Sequence, residues 1–390
     1  MKDLSPHALA IRPSPTLALN AQLKARAEAG ERVLNLCVGE PDFPMPALAA
    51  RMAIQAIEDG ESRYTDVAGT LALRERIRRK LREENDLDYR TDQIIASTGA
   101  KQALYNAFFV LCGEGDEVVV PAPYWVTYPE QVRAVGATPV IATAGRDSEY
   151  KLTPALLERH VTPRTKAVVL NNPGNPTGTT YTRGELEAIA EVVLRHDLYV
   201  VEDLIYEHFH YGEGKVESIA ALGTPLRDRT IVINGVSKSC GMTGWRVGYS
   251  AAPARISALM KRLQSQSTSN VTAVAQRAAI GAMDDVPWTA LAAYRERSES
   301  AYQQLTAIEG VDCPPPTGAF YLFPDISRFL GDGGPATSDE FCTQLLEHTG
   351  VGIVPGTAFG SPGNVRISYA AAPGVVAEGL ELLQKFVVSL

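Results

Sequence analysis

Residues 233–253, INGVSKSCGMTGWRVGYSAAP, place a lysine, Lys238, among glycines and hydroxyl side chains directly after an apolar run. The run TIVING at 230–235 is too short for a buried helix and is typical of a buried strand. A lone loop lysine is most often solvated, because lysine is one of the least buried residue types. Whether Lys238 is reactive therefore depends on the groups that the fold brings next to it.

The composition is that of an ordinary soluble globular protein: 390 residues, 45% hydrophobic and 21% charged, with a net charge of -8. This length favours one large domain and a smaller one. The negative charge argues against a nucleic-acid or anionic-membrane partner. The N-terminus lacks an apolar signal core, and no run approaches the ~20 apolar residues of a membrane span, which predicts a cytoplasmic protein. Five scattered cysteines predict free thiols in a reducing compartment.

Strand-like and helix-like segments alternate from about residue 94 to 251. The apolar runs lie in IIAS, DEVVVPAP, TPVIAT, TKAVVLNNP, LYVVED and TIVING. Between them, TGAKQALYNAFFVLCGEGD has the helical period, and TRGELEAIAEVVLRHD opens with a capping box of Thr182 and Glu185. This alternation predicts an α/β fold with a mostly parallel sheet covered by helices on both faces. Active sites in such sheets lie beyond the carboxyl ends of the strands.

The pattern changes after residue 253, where long helical stretches at 253–266 and 271–308 follow. A smaller α+β unit comes next, with strands in GAFYLFPDI, VGIVPG and NVRISYAA and a closing helix. We therefore predict a large domain at 45–285 and a small domain formed by 1–44 and 286–390.

Polar groups occur where these predicted strands end. Asp203 ends LYVVED, with Tyr206 three residues later, and Asn175 follows another strand in NNPGNPTG. STGAKQ places backbone N–H groups and Lys101 at a helix N-terminus, which suits a phosphate. Trp125 follows the strand of PAPYWVTYP. Taken singly, these features have ordinary explanations as turns, a helix cap and a core aromatic.

Pyridoxal phosphate chemistry needs all of these groups in one cleft. An amine forms an imine with the cofactor, a carboxylate keeps its ring nitrogen protonated, and an aromatic ring stacks on it. Two arginines complete the set of candidates, Arg246 eight residues after Lys238 and Arg366 in the strand of NVRISYAA.

The sequence resembles the class I aminotransferases of fold type I, and in particular bacterial aspartate aminotransferases. The resemblance covers nearly the whole chain through IRPSPTLALN, GEPDFPMP, YTDVAGTLALR, TGAKQAL, PYWVTYPE, NNPGNPTG, EDLIYEH, SKSCGMTGWRVGY, PTGAFYLFPD, VGIVPGTAFG and VRISYA. The segment with Lys238, Thr243, Gly244, Trp245 and Arg246 is specific in order and spacing, whereas the NPTG turn alone would be weak evidence. The resemblance implies the pyridoxal-phosphate-dependent transferase fold, with a seven-stranded type of sheet and a smaller α+β domain.

The resemblance also implies roles for individual residues. Lys238 is expected to be the Schiff-base lysine, Asp203 the partner of the pyridine nitrogen, and Tyr206 and Asn175 the partners of the phenolic oxygen. Trp125 is expected to stack on the ring. The phosphate is expected to be held by Gly99, Ala100 and Arg246, and by Tyr64 from the second subunit of a homodimer with shared active sites. Lys101 and Ser237 are further expected cofactor-binding residues.

The substrate, an amino acid or 2-oxo acid, is expected to bind through its α-carboxylate to Arg366. Gly39 closes from the N-terminal segment, with Trp125 and Asn175 in contact. In the branch that the sequence resembles, Lys101 lies close enough to meet a distal carboxylate of the substrate, with help from the segment around Arg12, Ser14 and Thr16. No metal is implied.

Two positions depart from the commoner family pattern. Gly235 stands where many members have a phosphate-binding serine, and Ser237 cannot be assumed to replace it. Phosphate binding is therefore expected to depend more on the helix N-terminus and Arg246. Leu204 stands where an acid is frequent, although Asp203 and Tyr206 keep their places.

Three functions stay open at this point. The first is amino-group transfer between an amino acid, aspartate or glutamate, and a 2-oxo acid, with prephenate or aromatic substrates as a variant. The second is a different reaction of the same cofactor, such as elimination, decarboxylation or cyclisation. The third is a non-catalytic effector-binding module, which is disfavoured because no helix-turn-helix extension and no basic patch precede the domain.

Overall fold

The computed structural model describes residues 4–331 and 333–390. Its strands are β1 (Leu34–Asn35), β2 (Ile94–Thr98), β3 (Glu117–Ala122), β4 (Thr138–Thr143), β5 (Thr165–Asn171), β6 (Tyr199–Asp203), β7 (Thr230–Gly235), β8 (Val247–Ala251), β9 (Tyr321–Leu322), β10 (Val351–Gly352), β11 (Val354–Pro355) and β12 (Val365–Ser368).

The helices are α1 (Pro6–Ala10), α2 (Pro15–Glu28), α3 (Ala47–Glu58), α4 (Leu71–Asn85), α5 (Ala100–Leu111), α6 (Thr127–Ala134), α7 (Pro154–His160), α8 (Arg183–Arg195), α9 (Thr224–Arg227), α10 (Ala254–Ser265), α11 (Ala273–Asp284), α12 (Trp288–Thr306), α13 (Ser338–Thr349) and α14 (Pro373–Val388). Short 3₁₀ turns join several of these elements.

A seven-stranded sheet forms the centre of the large unit, in the order β2-β8-β7-β6-β5-β3-β4. Strands β3 to β7 run parallel, and β8 is antiparallel to both of its neighbours. No crossover helix lies between β7 and β8. Because a parallel connection would need one, β8 runs antiparallel to β7. The predicted α/β fold with a mostly parallel sheet is confirmed.

Two glycines face each other where β7 meets β8. Gly235 pairs with Gly248, and a Cβ on Gly235 would lie 2.8 Å from both the Gly248 Cα and the Val247 oxygen. A serine at this position would therefore overlap with the neighbouring strand. The close approach of the paired strands β7 and β8 explains why position 235 is a glycine.

The helices bury the apolar faces that the sequence predicted. Helix α5 buries Ala103, Leu104, Ala107 and Phe108 against the sheet. Helix α8 begins with the predicted capping box, in which Thr182 Oγ1 accepts from the Glu185 N–H at 3.3 Å and Glu185 accepts from the Thr182 N–H at 2.8 Å. The capping box satisfies two backbone donors at the start of the helix, which fixes where the helix begins.

The smaller unit contains two narrow sheets. Strands β11, β12 and β9 form an antiparallel sheet, and β1 pairs in parallel with β10 through Leu34 and Val351. The N-terminal segment thus contributes a strand to the C-terminal unit. The domain limits at residues 45 and 285 stay a prediction.

The structure corrects two predictions about the part of the chain after residue 253. GAFYLFPDI contains one strand of two residues, β9, and VGIVPG contains two strands of two residues, β10 and β11. Pro324 has no N–H to donate, and pairing beyond it is reduced to single bridges at Asp325. The helical stretch 271–308 is two helices, because Pro287 starts a new one at the cap of α12.

The five cysteines are all buried and unpaired, as the sequence predicted. Across 4–331 and 333–390, the structure contains no helix with the length and apolar character needed to cross a membrane.

Candidate active site

A cavity of about 480 Å³ opens at the carboxyl ends of the parallel strands. It is lined by most of the site residues that the sequence predicted: Gly39, Ala100, Lys101, Trp125, Asn175, Asp203, Tyr206, Ser237, Lys238, Arg246 and Arg366. Gly99 lies under the Arg246 guanidinium at the same end. Tyr64 is 90% exposed and lies outside this cavity.

The parallel strands explain why residues far apart in sequence meet here. Asn175 follows β5, Asp203 ends β6 and Lys238 follows β7, and these three strands are neighbours in the sheet. Their carboxyl ends share one edge, so the side chains that follow them converge.

Lys238 lies in the turn after β7, and its Nζ donates to the Gly39 carbonyl oxygen at 2.5 Å. Burial of the side chain lowers the pKa of Lys238 to about 8, opposed by Glu40 and assisted by the positive charges of Arg246 and Arg366. An amine with this pKa is partly unprotonated near neutral pH. It can therefore act as a nucleophile or as a base.

Asp203 is 1% exposed, and its carboxylate accepts hydrogen bonds from two donors. Its Oδ1 accepts from the Ile205 N–H at 3.1 Å and its Oδ2 accepts from the Tyr128 hydroxyl at 2.9 Å. Burial raises the pKa of Asp203 to about 6, although these hydrogen bonds and the Lys238 charge lower it in part. A cationic N–H donor in the cavity would stabilise the ionised carboxylate further.

Arg366 is a buried guanidinium, 4% exposed, with no salt bridge to any acidic residue in the described chain. Its Nη1 donates to Asn175 Oδ1 at 3.0 Å and its Nη2 to the Cys37 carbonyl at 2.8 Å, while Nε has no partner. The Tyr321 ring lies 4.4 Å from the guanidinium carbon. Because a buried charge is costly without a counter-charge, Arg366 provides a ready site for a carboxylate.

The N-terminus of α5 forms the opposite end of the cavity. Gly99, with φ of 80°, caps this helix, and a Cβ on it would lie 2.3 Å from Arg246 Nη2. A Cβ on Gly248 would lie 2.2 Å from the Ala100 nitrogen. Only glycine at these two positions allows the arginine, the strand and the helix end to meet. The unpaired N–H groups of the first turn and the Arg246 charge favour an anion here.

The wall between these ends is aromatic and phenolic. Tyr206 and Tyr321 share a hydrogen bond between their hydroxyls at 3.0 Å, and Asn175 Nδ2 donates to the Tyr206 hydroxyl at 3.4 Å. Trp125 lines the cavity, and the Lys101 ammonium lies 5.0 Å from its ring centroid. The pKa of Lys101 is lowered by burial of its ammonium against this wall and by the Arg246 charge, although the residue as a whole is exposed at the mouth.

Sequence reasoning missed Tyr128 and Tyr321, which hold Asp203 and Tyr206 respectively, and Asn171, which lines the cavity. Tyr128 lies three residues after Trp125 at the start of α6, so the helical period could have placed both on one side. Tyr321 lies in a strand of only two residues, which is too short for an alternating pattern to predict which way its side chain points.

The residues fit pyridoxal phosphate. The anion end at α5, the lysine of lowered pKa and the buried carboxylate match the phosphate, the aldehyde and the ring nitrogen of the cofactor. Arg366, which lines the cavity and has no acidic partner among the described residues, leaves a separate position for a substrate carboxylate. Gly235 has no room for a side chain, and the expectation that the phosphate is held by backbone donors and Arg246 stays a prediction.

The raised pKa of Asp203 predicts how the stability of the cofactor-free protein changes with pH. A folded-state pKa of about 6 against 3.8 in the unfolded chain disfavours the ionised carboxylate by about 3 kcal/mol. The wild-type protein is free of this penalty below pH 3.8, acquires it as the pH rises, and bears all of it above pH 6. Relative to wild type, Asp203→Asn should therefore gain about 3 kcal/mol in free energy of unfolding between pH 4 and pH 7.

Denaturant unfolding of both proteins across this range measures that difference. The substitution Asp88→Asn, on the surface, controls for the change of acid to amide itself. A gap between Asp203→Asn and wild type that stays constant with pH would show that Asp203 ionises without penalty.

Comparison with known proteins agrees with the geometry. The family model for aminotransferase class I and II matches residues 31–381. The aspartate aminotransferase of Geobacillus stearothermophilus is 44% identical over 386 residues, covering 98% of each chain. The aspartate/prephenate aminotransferase of Cereibacter sphaeroides is 43% identical over 400 residues and covers 100% of both chains. The crystal structure of the Rhizobium meliloti aspartate aminotransferase superposes with a TM-score of 0.95 at 36% identity, covering 100% of this chain and 99% of that one. Sequence, fold and cavity thus agree that the chain belongs to the class I and II aminotransferases and is a pyridoxal-phosphate-dependent aminotransferase.

Proposed function

We propose that the protein moves the amino group of a dicarboxylic amino acid, aspartate or glutamate, to a 2-oxo acid. The observation that carries the proposal is the pair of groups in one cavity: an amine of lowered pKa, Lys238, and a buried guanidinium without a counter-charge, Arg366. The names of the relatives, aspartate aminotransferase and aspartate/prephenate aminotransferase, support aspartate as the donor.

The cofactor supplies an aldehyde that bonds reversibly to amines and a ring that withdraws electrons from the substrate α-carbon. In this proposal the backbone of Gly99 and Ala100, with Ser237 and Arg246, holds the phosphate. Asp203 keeps a proton on the ring nitrogen, and Tyr128 orients that carboxylate through its 2.9 Å hydrogen bond. The hydroxyl of Tyr206 and the amide of Asn175 donate to the phenolic oxygen, while Trp125 covers one face of the ring.

Lys238 performs the proton transfer. Its Nζ would remove the proton from the α-carbon of the substrate and hold that proton on the amine until it is given back. A pKa of about 8 allows the free amine to accept that proton near neutral pH. The carbonyl of Gly39, which accepts from Nζ at 2.5 Å, holds the amine at the floor of the cavity.

Arg366 binds the α-carboxylate of the substrate through two parallel hydrogen bonds. Asn175 and the Cys37 carbonyl already fix the plane of the guanidinium, so little side-chain freedom remains to be lost on binding.

Lys101 is proposed to bind the second carboxylate of the substrate. Ser14 and Thr16 line the same cavity, whereas Arg12 does not line it and uses its backbone N–H to bond Glu130 at 2.8 Å. Prephenate is the second candidate acceptor, supported by the names of several relatives. We further propose a cytoplasmic homodimer in which Tyr64 completes the phosphate site of the neighbouring subunit.

The decisive test concerns Lys238. The purified protein should absorb visible light through the bound cofactor, and Lys238→Ala should reduce transamination to background because the proton transfer is assigned to its Nζ. Lys101, another lysine of the cavity, lies instead against the Trp125 ring. The assay follows 2-oxo acid release with and without an amino acceptor, using Lys261→Ala as a surface lysine control. Release of more than one equivalent of 2-oxo acid per active site without an acceptor would favour elimination, whereas decarboxylation would release CO2 and an amine in place of a 2-oxo acid. Normal transamination by Lys238→Ala would refute the assignment.

Lys101→Ala should change substrate preference rather than overall rate. A charge-assisted hydrogen bond contributes roughly 1.5 to 3 kcal/mol, so kcat/KM for aspartate and glutamate should fall about ten- to a hundredfold. Alanine and other donors without a distal charge should lose much less. The measurement compares kcat/KM across these donors, with Lys166→Ala as the control. Equal losses for aspartate and alanine would mean that Lys101 serves only the cofactor phosphate.

The shared site can be tested by mixing subunits. Tyr64→Ala and Lys238→Ala should each be severely impaired as pure proteins. After subunit exchange, a mixed dimer regains up to one intact site, because its wild-type Tyr64 and wild-type Lys238 come from different chains. Activity that does not rise above the parents after confirmed exchange, or a Tyr64→Ala protein as active as wild type, would argue against the cross-subunit contact.

A further inference from the structure

A buried polar cluster lies beside the active-site cavity without lining it. It consists of Lys80, Asn85, Glu207 and Asn234, each no more than 8% exposed. The Glu207 carboxylate accepts from Asn85 Nδ2 at 2.6 Å, from Asn234 Nδ2 at 2.5 Å and from the Lys80 ammonium. The reaction proposed above uses none of these side chains.

The cluster joins two chain segments where their backbone pairing stops. The last backbone hydrogen bond between β6 and β7 runs from the Leu204 N–H to the Ile233 oxygen at 2.9 Å. Beyond it, the described residues 205–210 and 234–240 share no backbone hydrogen bond. The bond from Asn234 to Glu207 continues the connection by side chains. Glu207 directly follows Tyr206, and Asn234 precedes Lys238 by four residues.

Both ends of this bridge are held in one orientation. Asn234 Oδ1 accepts from the Gly235 N–H at 2.7 Å, which turns its Nδ2 toward Glu207. Burial alone would raise the pKa of Glu207, but Lys80, His208 and Asn85 lower it below its ordinary value. The carboxylate therefore stays ionised and keeps all three of its donors.

A metal ion is a poorer explanation for this cluster. Glu84, Glu207 and His208 each offer a ligand atom, and these atoms lie within 4.8 Å of one another. The Lys80 ammonium already contacts Glu207 and lies 3.6 Å from Glu84, so the positive charge that a cation would bring is supplied by the chain.

We propose that Glu207 is a positioning residue, whose bridge to Asn234 fixes the segment that carries Lys238 relative to the segment that carries Tyr206. The inference rests on the proposed roles of these two residues in transamination. Without the bridge, the amine and the phenol would still be present, but their separation would vary. A small loss of alignment between reacting groups is enough to slow proton transfer strongly.

The test compares two asparagines that bond the same carboxylate. Asn234→Ala breaks the bridge and also removes the acceptor of the Gly235 N–H. Asn85→Ala removes an amide that donates to Glu207 and accepts from Lys80, without touching the Lys238 segment. We expect Asn234→Ala to lower kcat about tenfold, with little change in KM. Its cofactor-free form should bind pyridoxal phosphate about tenfold more weakly, and the pH at which the visible band changes should shift. Asn85→Ala should stay within about twofold of wild type in all three measurements.

A charge-balanced variant, Lys80→Met with Glu207→Leu, removes the bridge from the other side without leaving a buried charge unpaired. It should reproduce the loss seen in Asn234→Ala, and the triple variant should be no worse, since one bridge is broken only once. Equal losses in the two asparagine variants, or losses that multiply in the triple variant, would overturn the proposal. Should the charge-balanced variant not fold, the asparagine pair decides alone.

A wild-type protein without transaminase activity would count against the proposed function. It would leave the bridge to be judged by cofactor affinity.

Discussion

The hydrogen bond from the Leu204 N–H to the Ile233 oxygen is the last point at which β6 and β7 are joined by their backbones. The divergence of the two segments beyond it places the carboxylate, the phenol and the amine of the cavity. One segment supplies Asp203 and Tyr206, and the other supplies the turn with Lys238. Because parallel strands end together, a carboxylate and an amine that are 35 positions apart reach one cavity without a dedicated loop to carry either.

The electrostatics of the cavity depend on burial rather than on pairing. Lys238, Asp203 and Arg366 are buried near one another, yet the described chain forms no direct salt bridge among them. Burial moves the pKa of the amine down and the pKa of the carboxyl up, each toward neutrality. Without a ligand, the protein is therefore less stable than it would be if apolar side chains lined a cavity of the same shape. Anionic and cationic groups of a ligand can relieve that cost, which couples cofactor binding to stability.

Much of this arrangement could be predicted from sequence because it follows from local signals. Apolar runs of strand length, a capping box at Thr182 and polar residues at strand ends fix the sheet and bring Asp203, Asn175 and Lys238 to one edge. The resemblance to aminotransferases, which the comparisons confirm, extends this to Arg366, which no periodicity singles out. Their individual roles stay predictions that the variants above can test.

The rest depends on contacts between distant elements. The hydroxyl of Tyr128 donates to Asp203, which lies 75 positions away, and Tyr321 is hydrogen-bonded to Tyr206, which lies 115 positions away. No short window of sequence contains either pair. The same is true of the bridge from Glu207 to Asn234. The sequence does not predict that Glu207 is buried and charged, because its partner Lys80 lies far away along the chain. The length of β9 was overestimated for a related reason, since Pro324 limits its pairing only in the context of the neighbouring strand.

The facing glycines at 235 and 248 have a consequence for how this enzyme can change over time. With no room for a side chain there, an anion at the start of α5 meets main-chain amides, which every amino acid except proline carries, and the Arg246 guanidinium. Under the roles proposed above, substitutions in the segment with Ser14 and Thr16, which supplies none of these donors, can alter which substrate is chosen while the binding of the cofactor stays the same. Substrate preference and cofactor retention are in this sense separately adjustable, and mutational drift can explore the first without risking the second.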